Sequence, residues 1–309
     1  MSRSYITTGA ALPAAPIALL QRLQWRARHV VTNTVSGEYR SAFRGKGMEF
    51  DQVVKYQWGD DLRDIDWKVT ARLGEPYRKR FIEERDLSVI LVFEDSPALQ
   101  FGSTGRTRRE TLLEAAALLM LISSINRDRV SVLYSAPGHT WFERALSGRK
   151  GTLRIAARLL QQEPPLLDGP ATCHVPWSFV RQAASRGSVV LWFGAFVPAD
   201  LPDCWRELQQ RCQTVGVRAI DPWDMELPAG AQLTVYDPIS GYLTNLDTSS
   251  PAERAAHARW RERHEAHFEN LFPRLDDRLT LWNSEDPLTE LIAYFRRHGR
   301  SSVPGGRMA

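Results

Sequence analysis

Six carboxylates fall between Glu49 and Trp67: Glu49, Asp51, Asp60, Asp61, Asp64 and Asp66, opposed within that stretch only by Lys55 and Arg63. Acids at this density suit three roles. They can gather a pair of divalent ions about 4 Å apart for metal-dependent hydrolysis, with Glu49, Asp60, Asp61, Asp66 and the later Glu94 as ligands. They can display negative charge to a partner protein. Or they can cap backbone amides and pair with Arg63, Arg72 or Arg85 in a rigid turn, because a carboxylate that becomes buried must find a charged or hydrogen-bonding partner. The rigid turn is the plainest of the three, with Trp67 expected to pack it against the domain that follows. Glu49, Asp60, Asp61, Arg63, Asp66 and Trp67 are thus structural or interaction residues first, and catalytic ones only in the rival reading.

Other motifs are weaker. Gly45 and Gly47 lack both the GxGxxG spacing of a dinucleotide turn and the Lys-Ser/Thr of a phosphate loop, so they read as a tight turn. Arg78, Lys79 and Arg80 stand beside Tyr77 and Phe81, but Glu83 and Glu84 follow at once, which favours a solvated strand over a nucleic-acid surface. Ser96 has no G-x-S-x-G context. His264 and His267 can share a helix face, yet no cysteine or clear acidic third ligand accompanies them.

The elements that must position these residues follow from hydrophobic patterning. Leu87 to Phe93 is apolar apart from one serine and predicts a central strand buried on both faces. A helix over Thr111–Ile125 and a strand over Val130–Tyr134 complete a βαβ unit. Gly187–Phe193 predicts a second core strand, and Val215–Ile220 a third, with helices at Arg149–Leu160, from Phe179, and around Cys204–Cys212. Strands alternating with helices predict an α/β, doubly wound, mostly parallel sheet, whose carboxyl-end rim gathers Glu94, Asp95, Ser96, Gly194 and Asp221. Asp221–Asp247, rich in proline and glycine, predicts an inserted antiparallel hairpin. A long polar helix after Pro251, a short strand Leu279–Trp282 and a helix Pro287–His298 close the domain. Before Leu87, the segments Tyr39–Phe43, Val53–Trp58 and Tyr77–Ile82 are expected as strands of a small appended sheet.

Length and composition agree with a soluble α/β protein. The 309 residues are 43% apolar, enough for a core without disulfides. Cys173, Cys204 and Cys212 show no paired spacing, which points to a reducing compartment. The charge of +4 is a small surplus of 40 basic over 36 acidic residues; it comes almost wholly from arginine, which favours bidentate carboxylate pairing. The patch Ala10–Leu20, broken by Pro13 and Pro16, is too short for a membrane span and lacks a signal-peptide core. The expected location is the cytoplasm, with no integral membrane span and no nucleic-acid partner.

The motifs Gly45-x-Gly47-x-Glu49-Phe50, Tyr56-x-x-Gly59-Asp60-Asp61-x-Arg63-x-Ile65-Asp66-Trp67 and Glu84-Arg85-Asp86, with Phe101-Gly102, Asp128-Arg129-Val130, Asp221-Pro222, Asp237-Pro238-x-x-Gly241 and Asp286-Pro287-Leu288, resemble the DUF58 family of bacterial proteins over roughly residues 30 to 299. The resemblance implies a sheet of von Willebrand factor A type with a β-rich appendage, and a protein partner such as a MoxR-type AAA+ ATPase or its client. With the patterning above, it gives an expected division into an N-terminal extension (1–30), the β-rich appendage (31–85) and the A-domain-like domain (86–299, insertion about 221–247), while the glycine-, serine- and proline-rich tail (300–309) is expected to be disordered. The resemblance also implies a metal-ion-dependent adhesion site of pattern Asp-x-Ser-x-Ser. The chain has Glu94-x-Ser96-x-Ala98 instead, and Phe193-Gly194 where a later aspartate would stand. The site is therefore expected to be degenerate at Glu94, Ser96 and Ala98, with weak or absent magnesium binding, since that ion demands near-ideal octahedral oxygen geometry. The expected function is a non-enzymatic interaction module with no cofactor and no catalytic residue. The alternatives are the metal-dependent hydrolase and a structural subunit of a larger complex.

Overall fold

The computed structural model describes residues 16–30, 37–39, 42–43, 49–58, 60–82, 87–144, 149–167, 173–237 and 242–301. In chain order the elements open with α1 (Pro16–Val30), β1 (Glu49–Lys55), α2 (Trp67–Leu73) and β2 (Tyr77–Ile82). There follow β3 (Ser88–Glu94), α3 (Arg108–Ile125), β4 (Arg129–Ala136), β5 (His139–Glu143), α4 (Arg149–Leu160), α5 (Trp177–Ala183), β6 (Val189–Phe193), α6 (Trp205–Arg211) and β7 (Gln213–Ile220). The chain closes with α7 (Pro222–Met225), β8 (Gln232–Asp237), β9 (Tyr242–Asp247), α8 (Pro251–Leu271), β10 (Arg278–Trp282) and α9 (Pro287–Ser301). Arg44–Asp86 forms one unit and the rest of the chain a second.

In the larger unit the sheet order is β10-β7-β6-β3-β4-β5. Every neighbouring pair is parallel except β4 with β5, which is antiparallel. Because successive side chains on a strand point to opposite faces, β3 feeds two cores. Val89, Leu91 and Phe93 face a cluster that includes residues of α1, α3, α4 and α9. Ile90 and Val92 face Trp177, Trp192, Trp205 and Phe272 on the side of α5, α6 and α8. The helix α3 is buried almost all round, since it packs on the sheet and is covered by α1, α4 and α9; this explains an apolar sequence without a strong polar face. It starts at a capping box in which Thr107 and Glu110 satisfy each other's backbone amides. From β3 the chain goes to β4 on one side, and β6 lies on the other, so the crevice between the carboxyl ends of β3 and β6 is the topological switch point. The inserted hairpin is present as the separate antiparallel pair β8–β9.

Several expectations are corrected. The proline-broken patch leads into α1: Pro16 occupies the first helical position, where a missing N–H costs nothing, and Leu20, Leu23 and Ala27 form its buried stripe. Tyr39–Phe43 is not a strand, for residues 37–39 and 42–43 are helical. The aromatic residues that suggested a strand are there for packing, an instance of tertiary context overriding β-propensity. The Tyr39 and Phe43 rings pack against Phe295. The edge strand β5 is not predicted by the patterning, because its sequence His-Thr-Trp-Phe-Glu carries no apolar run or clear alternation. The turn at Gly45 and Gly47, residues Glu84 to Asp86 and the tail 302–309 lie outside the described residues. Among the described residues, no helix is long and apolar enough to cross a membrane.

In the smaller unit, β1 and β2 pair antiparallel with a register shift between Phe50 and Gln52. Ile65 bridges to Arg78 of β2. The helix α2 ends at Gly74, whose left-handed φ of 77° is suited to a residue without Cβ.

Candidate functional site

The strand-end rim is built from the turn after β3. Glu94 is the last residue of that strand, Ser96 precedes the single-turn 3-10 helix Pro97–Gln100, and Ala98 lies within it. The structure therefore brings Glu94, Ser96 and Ala98 together, with Gly194 just past the end of neighbouring β6. Glu94 turns toward β6, where its Oε2 accepts a hydrogen bond from the indole N–H of Trp192 at 2.8 Å. A Cβ on Gly194 would stand 3.1 Å from that same Oε2 and 3.3 Å from the indole nitrogen. The glycine is what lets the carboxyl and the indole meet.

Asp95 turns the other way and is fully buried. Arg109 Nε donates to both of its oxygens, at 3.1 and 2.8 Å, and the Tyr134 hydroxyl donates at 2.9 Å. Arg109 also donates to the carbonyl of Gln162 at 2.7 Å, which ties β3, α3, β4 and the segment after α4 into one polar knot. Burial pushes the Asp95 carboxyl upward, against the opposing charge and hydrogen bonds of Arg109.

Asp221, just after β7, is equally buried. It accepts from Ser103 N at 2.7 Å, Ser103 Oγ at 2.5 Å, Trp223 N at 2.9 Å and Asn283 Nδ2 at 2.5 Å. Burial alone would raise its pKa, but these hydrogen bonds hold the carboxyl below its usual range. Ionised and saturated with donors, it joins the turns after β3, β7 and β10.

Cys173 lies in the same neighbourhood, beside Ser135 and within the field of Glu94 and Asp95. Burial pushes its thiol up to about 12, so it stays a neutral thiol rather than a nucleophilic thiolate at neutral pH.

Three acids of the smaller unit, Asp60, Asp61 and Asp66, accept from nearby backbone amides. Asp60 accepts from Gln57 N at 2.9 Å and pairs with Arg78 at 2.8 Å. Asp61 caps Arg63 N at 2.9 Å, and Asp66 accepts from Lys68 N at 3.1 Å and Val69 N at 3.2 Å as the N-cap of α2. The expected partners Arg63 and Arg72 are displaced by Arg78, which β2 places opposite this turn. Trp67 is 70% exposed within this unit, and Trp58 is exposed too. Glu49 opens β1. Among the described residues, no group of three His, Cys, Asp or Glu is placed to hold a metal ion. Asp66→Ala is expected to cost about 1 kcal/mol locally, measured as faster amide exchange at Lys68 and Val69 with the main sheet unaffected.

Glu94 supplies a pH signature. Burial pushes it up to about 7, opposed by the Trp192 hydrogen bond. A carboxyl with a raised pKa holds its proton more tightly in the folded than in the unfolded chain. Its contribution to stability is thus full below its ordinary value of 4.5 and is lost as pH rises through about 7. Glu94→Gln is expected to remove up to about 1.4 kcal/mol of stability change per pH unit in that window, read from urea unfolding at successive pH values.

Sequence reasoning placed Glu94, Ser96, Gly194 and Asp221 at the strand ends but missed the groups that occupy them. Arg109 offered a partial signal: it opens a helix whose run Leu112–Ile122 is apolar but for Glu114, which points to a buried role without naming the partner. Trp192 and Asn283 offered none.

The chain matches the family described as "Protein of unknown function DUF58" over residues 52–267. It is 25% identical over 291 residues to uncharacterized protein Rv1480 of Mycobacterium tuberculosis (strain ATCC 25618 / H37Rv), covering 93% of this chain and 91% of that protein. It is similar to the same extent to uncharacterized protein Mb1516 of Mycobacterium bovis. Among solved structures, it aligns with conserved hypothetical protein BatB from Bacteroides thetaiotaomicron at a TM-score of 0.42 and 9% identity, covering 69% of this chain and 99% of that one. A family match that runs from β1 of the smaller unit into α8 of the larger spans most of the sequence, and the chain belongs to the DUF58 family.

Proposed function

We propose that this protein is a non-enzymatic interaction module that grips a partner polypeptide at the strand-end rim without a bound ion, and that the partner is a MoxR-type AAA+ ATPase or its client. The observation that carries this reading is the state of the rim carboxyls. Glu94 is engaged by Trp192, Asp95 by Arg109 and Tyr134, and Asp221 by Ser103, Trp223 and Asn283. These residues do not fit a magnesium site of the adhesion type. Ala98 and Gly194 bring no side-chain oxygen, and an ion would have to displace the indole from Glu94 against the octahedral demand of magnesium.

What the rim offers is apolar surface. Leu166 and Leu167, after α4, are 74% and 46% exposed, and Tyr242 and Leu243 of β9 are 73% and 71% exposed. The Tyr236 hydroxyl donates to the Leu167 carbonyl, and Tyr236 is the cross-strand partner of Leu243. Paired residues share a face of a hairpin, so Leu243 lies on the side that meets Leu167. Leu166, Leu167 and Leu243, exposed and gathered on this side, mark an interaction site, whereas Tyr242, paired with Asp237, points to the other face of the hairpin. The sheet order, with one antiparallel edge strand, supports the von Willebrand factor A-type reading, and a cytoplasmic location fits a AAA+ partner.

The test is co-elution of the purified chain with the MoxR-type ATPase of the same organism. Leu243→Asp and Leu166→Asp are expected to abolish the complex while leaving the circular dichroism spectrum unchanged. Complex formation indifferent to both substitutions, or no complex with the unaltered chain, contradicts the proposal.

A further inference from the structure

At the opposite end of the sheet from the rim, a cleft of about 100 Å³ opens between α1, the last turn of α3 and the first turn of α4, lined by Gln24, Arg28, Ser124, Ile125 and Arg149 among others. At this size it has room for several waters or one small tetrahedral anion, since a water needs about 10–15 Å³ of such space. Its surroundings are cationic. Arg28 and Arg149 line it, and Arg127 and Lys150 follow lining residues within two positions in the chain; all four are exposed, and among the described residues none of them pairs with a carboxylate. The nearby Asp128 is buried and turned to the backbone N–H of Leu87 at 3.2 Å.

Two details go beyond a chance concentration of charge. Arg149 is held by a neutral group: with the Gln24 amide oriented by its donors, the amide oxygen accepts from Arg149 Nε at 3.1 Å and also from Nη2. This fixes the guanidinium and leaves its charge unspent. Arg127 has a left-handed φ of 63°, directly after Asn126 caps α3. That position is usually glycine, because a Cβ there costs roughly 1 kcal/mol or more. The chain thus carries a cation at a position where glycine would be the less strained choice. The end of α3 does not repel an anion strongly, since its last carbonyls already accept from the amides of Asn126, Arg127 and Asp128. The first turn of the 12-residue α4 contributes its positive end.

We propose that this cleft binds a phosphoryl group, with Arg149 and Arg28 as the guanidinium donors, Ser124 as a hydroxyl donor, and Lys150 and Arg127 as flanking charge. Guanidinium geometry matches phosphate oxygens pairwise. A soluble phosphate ester and the headgroup of an anionic phospholipid share this chemistry.

The experiment titrates the full chain with sodium pyrophosphate at fixed ionic strength by calorimetry. Saturable binding is expected, weakened at least about tenfold by Arg149→Gln, in line with the loss of a hydrogen bond to a charged group. Lys150→Gln, on an exposed side chain that supports no packing, is expected to weaken it too, and keeps the test open if the arginine variant folds poorly. Arg186→Gln, an exposed arginine in the turn before β6, is expected to leave binding unchanged. Competition by ADP assigns the site to a soluble ester. Competition by phosphatidylglycerol vesicles, but not by phosphatidylcholine vesicles, assigns it to a lipid headgroup. Absence of saturable binding, binding unaffected by both cleft substitutions, or equal weakening by Arg186→Gln overturns the proposal.

Discussion

Arg109→Met is expected to destabilise the larger unit by about 3 to 5 kcal/mol, the usual consequence of removing one partner from a buried ion pair. Asp95 has no exposure to water, so loss of the guanidinium leaves a carboxylate with only the Tyr134 hydroxyl at 2.9 Å and its attachment to β3. The carboxyl then either stays charged in a poorly polar site or takes up a proton, and both routes lower stability at neutral pH. Asp95→Asn/Arg109→Met should recover part of the loss, because replacing both members removes the stranded charge. Urea unfolding of the single and double variants measures this directly. A single-variant cost below about 1 kcal/mol, typical of solvent-exposed pairs, would show that Asp95 and Arg109 do not hold the rim together.

Gly102→Ala is the second large effect expected. A Cβ at this position would stand 2.0 Å from the carbonyl oxygen of Arg106 and 2.6 Å from its carbonyl carbon. Backbone cannot rotate aside as a side chain can, so the turn must open. The same carbonyl accepts from Asn283 Nδ2 at 3.0 Å, and the neighbouring Ser103 donates twice to Asp221. Opening the turn therefore disturbs the buried hydrogen bonds joining the ends of β3, β7 and β10. The expected cost is about 3 kcal/mol, at the upper end for overpacking, together with loss of partner binding at the rim. Thermal unfolding with a parallel co-elution assay checks both. An alanine variant that melts with the unaltered chain would mean that this turn is not a fixed part of the rim.

The elements legible in the sequence were those whose environment leaves one periodic signature. Leu87 to Phe93 and Gly187 to Phe193 read as doubly buried strands and form β3 and β6 in the middle of the sheet. The helix α3, the inserted hairpin and the closing helix were legible for similar reasons. Where two signals competed, reading failed. Pro16 suggested a break yet begins α1, and Tyr39 and Phe43 suggested a strand yet lie in helical turns with their rings against Phe295. At the candidate site, the strand-end positions of Glu94, Ser96 and Asp221 followed from topology alone. Their partners did not, because Arg109 and Tyr134 lie 14 and 39 residues from Asp95 and Trp192 lies 98 from Glu94. Separations of that size are set by how the sheet is wound rather than by any local pattern. The exposure of Trp67 within the smaller unit was equally hidden, since an aromatic residue in a polar turn reads the same whether it packs inward or is offered to a partner.

The central claim is a rim that keeps its carboxyls for internal hydrogen bonds and binds no ion. Calorimetric titration of the metal-stripped chain with Mg²⁺, repeated with Mn²⁺, tests it most directly. The account predicts no saturable heat at millimolar metal and identical traces for the unaltered chain and Glu94→Ala. One-site binding by the unaltered chain that disappears in Glu94→Ala would contradict it.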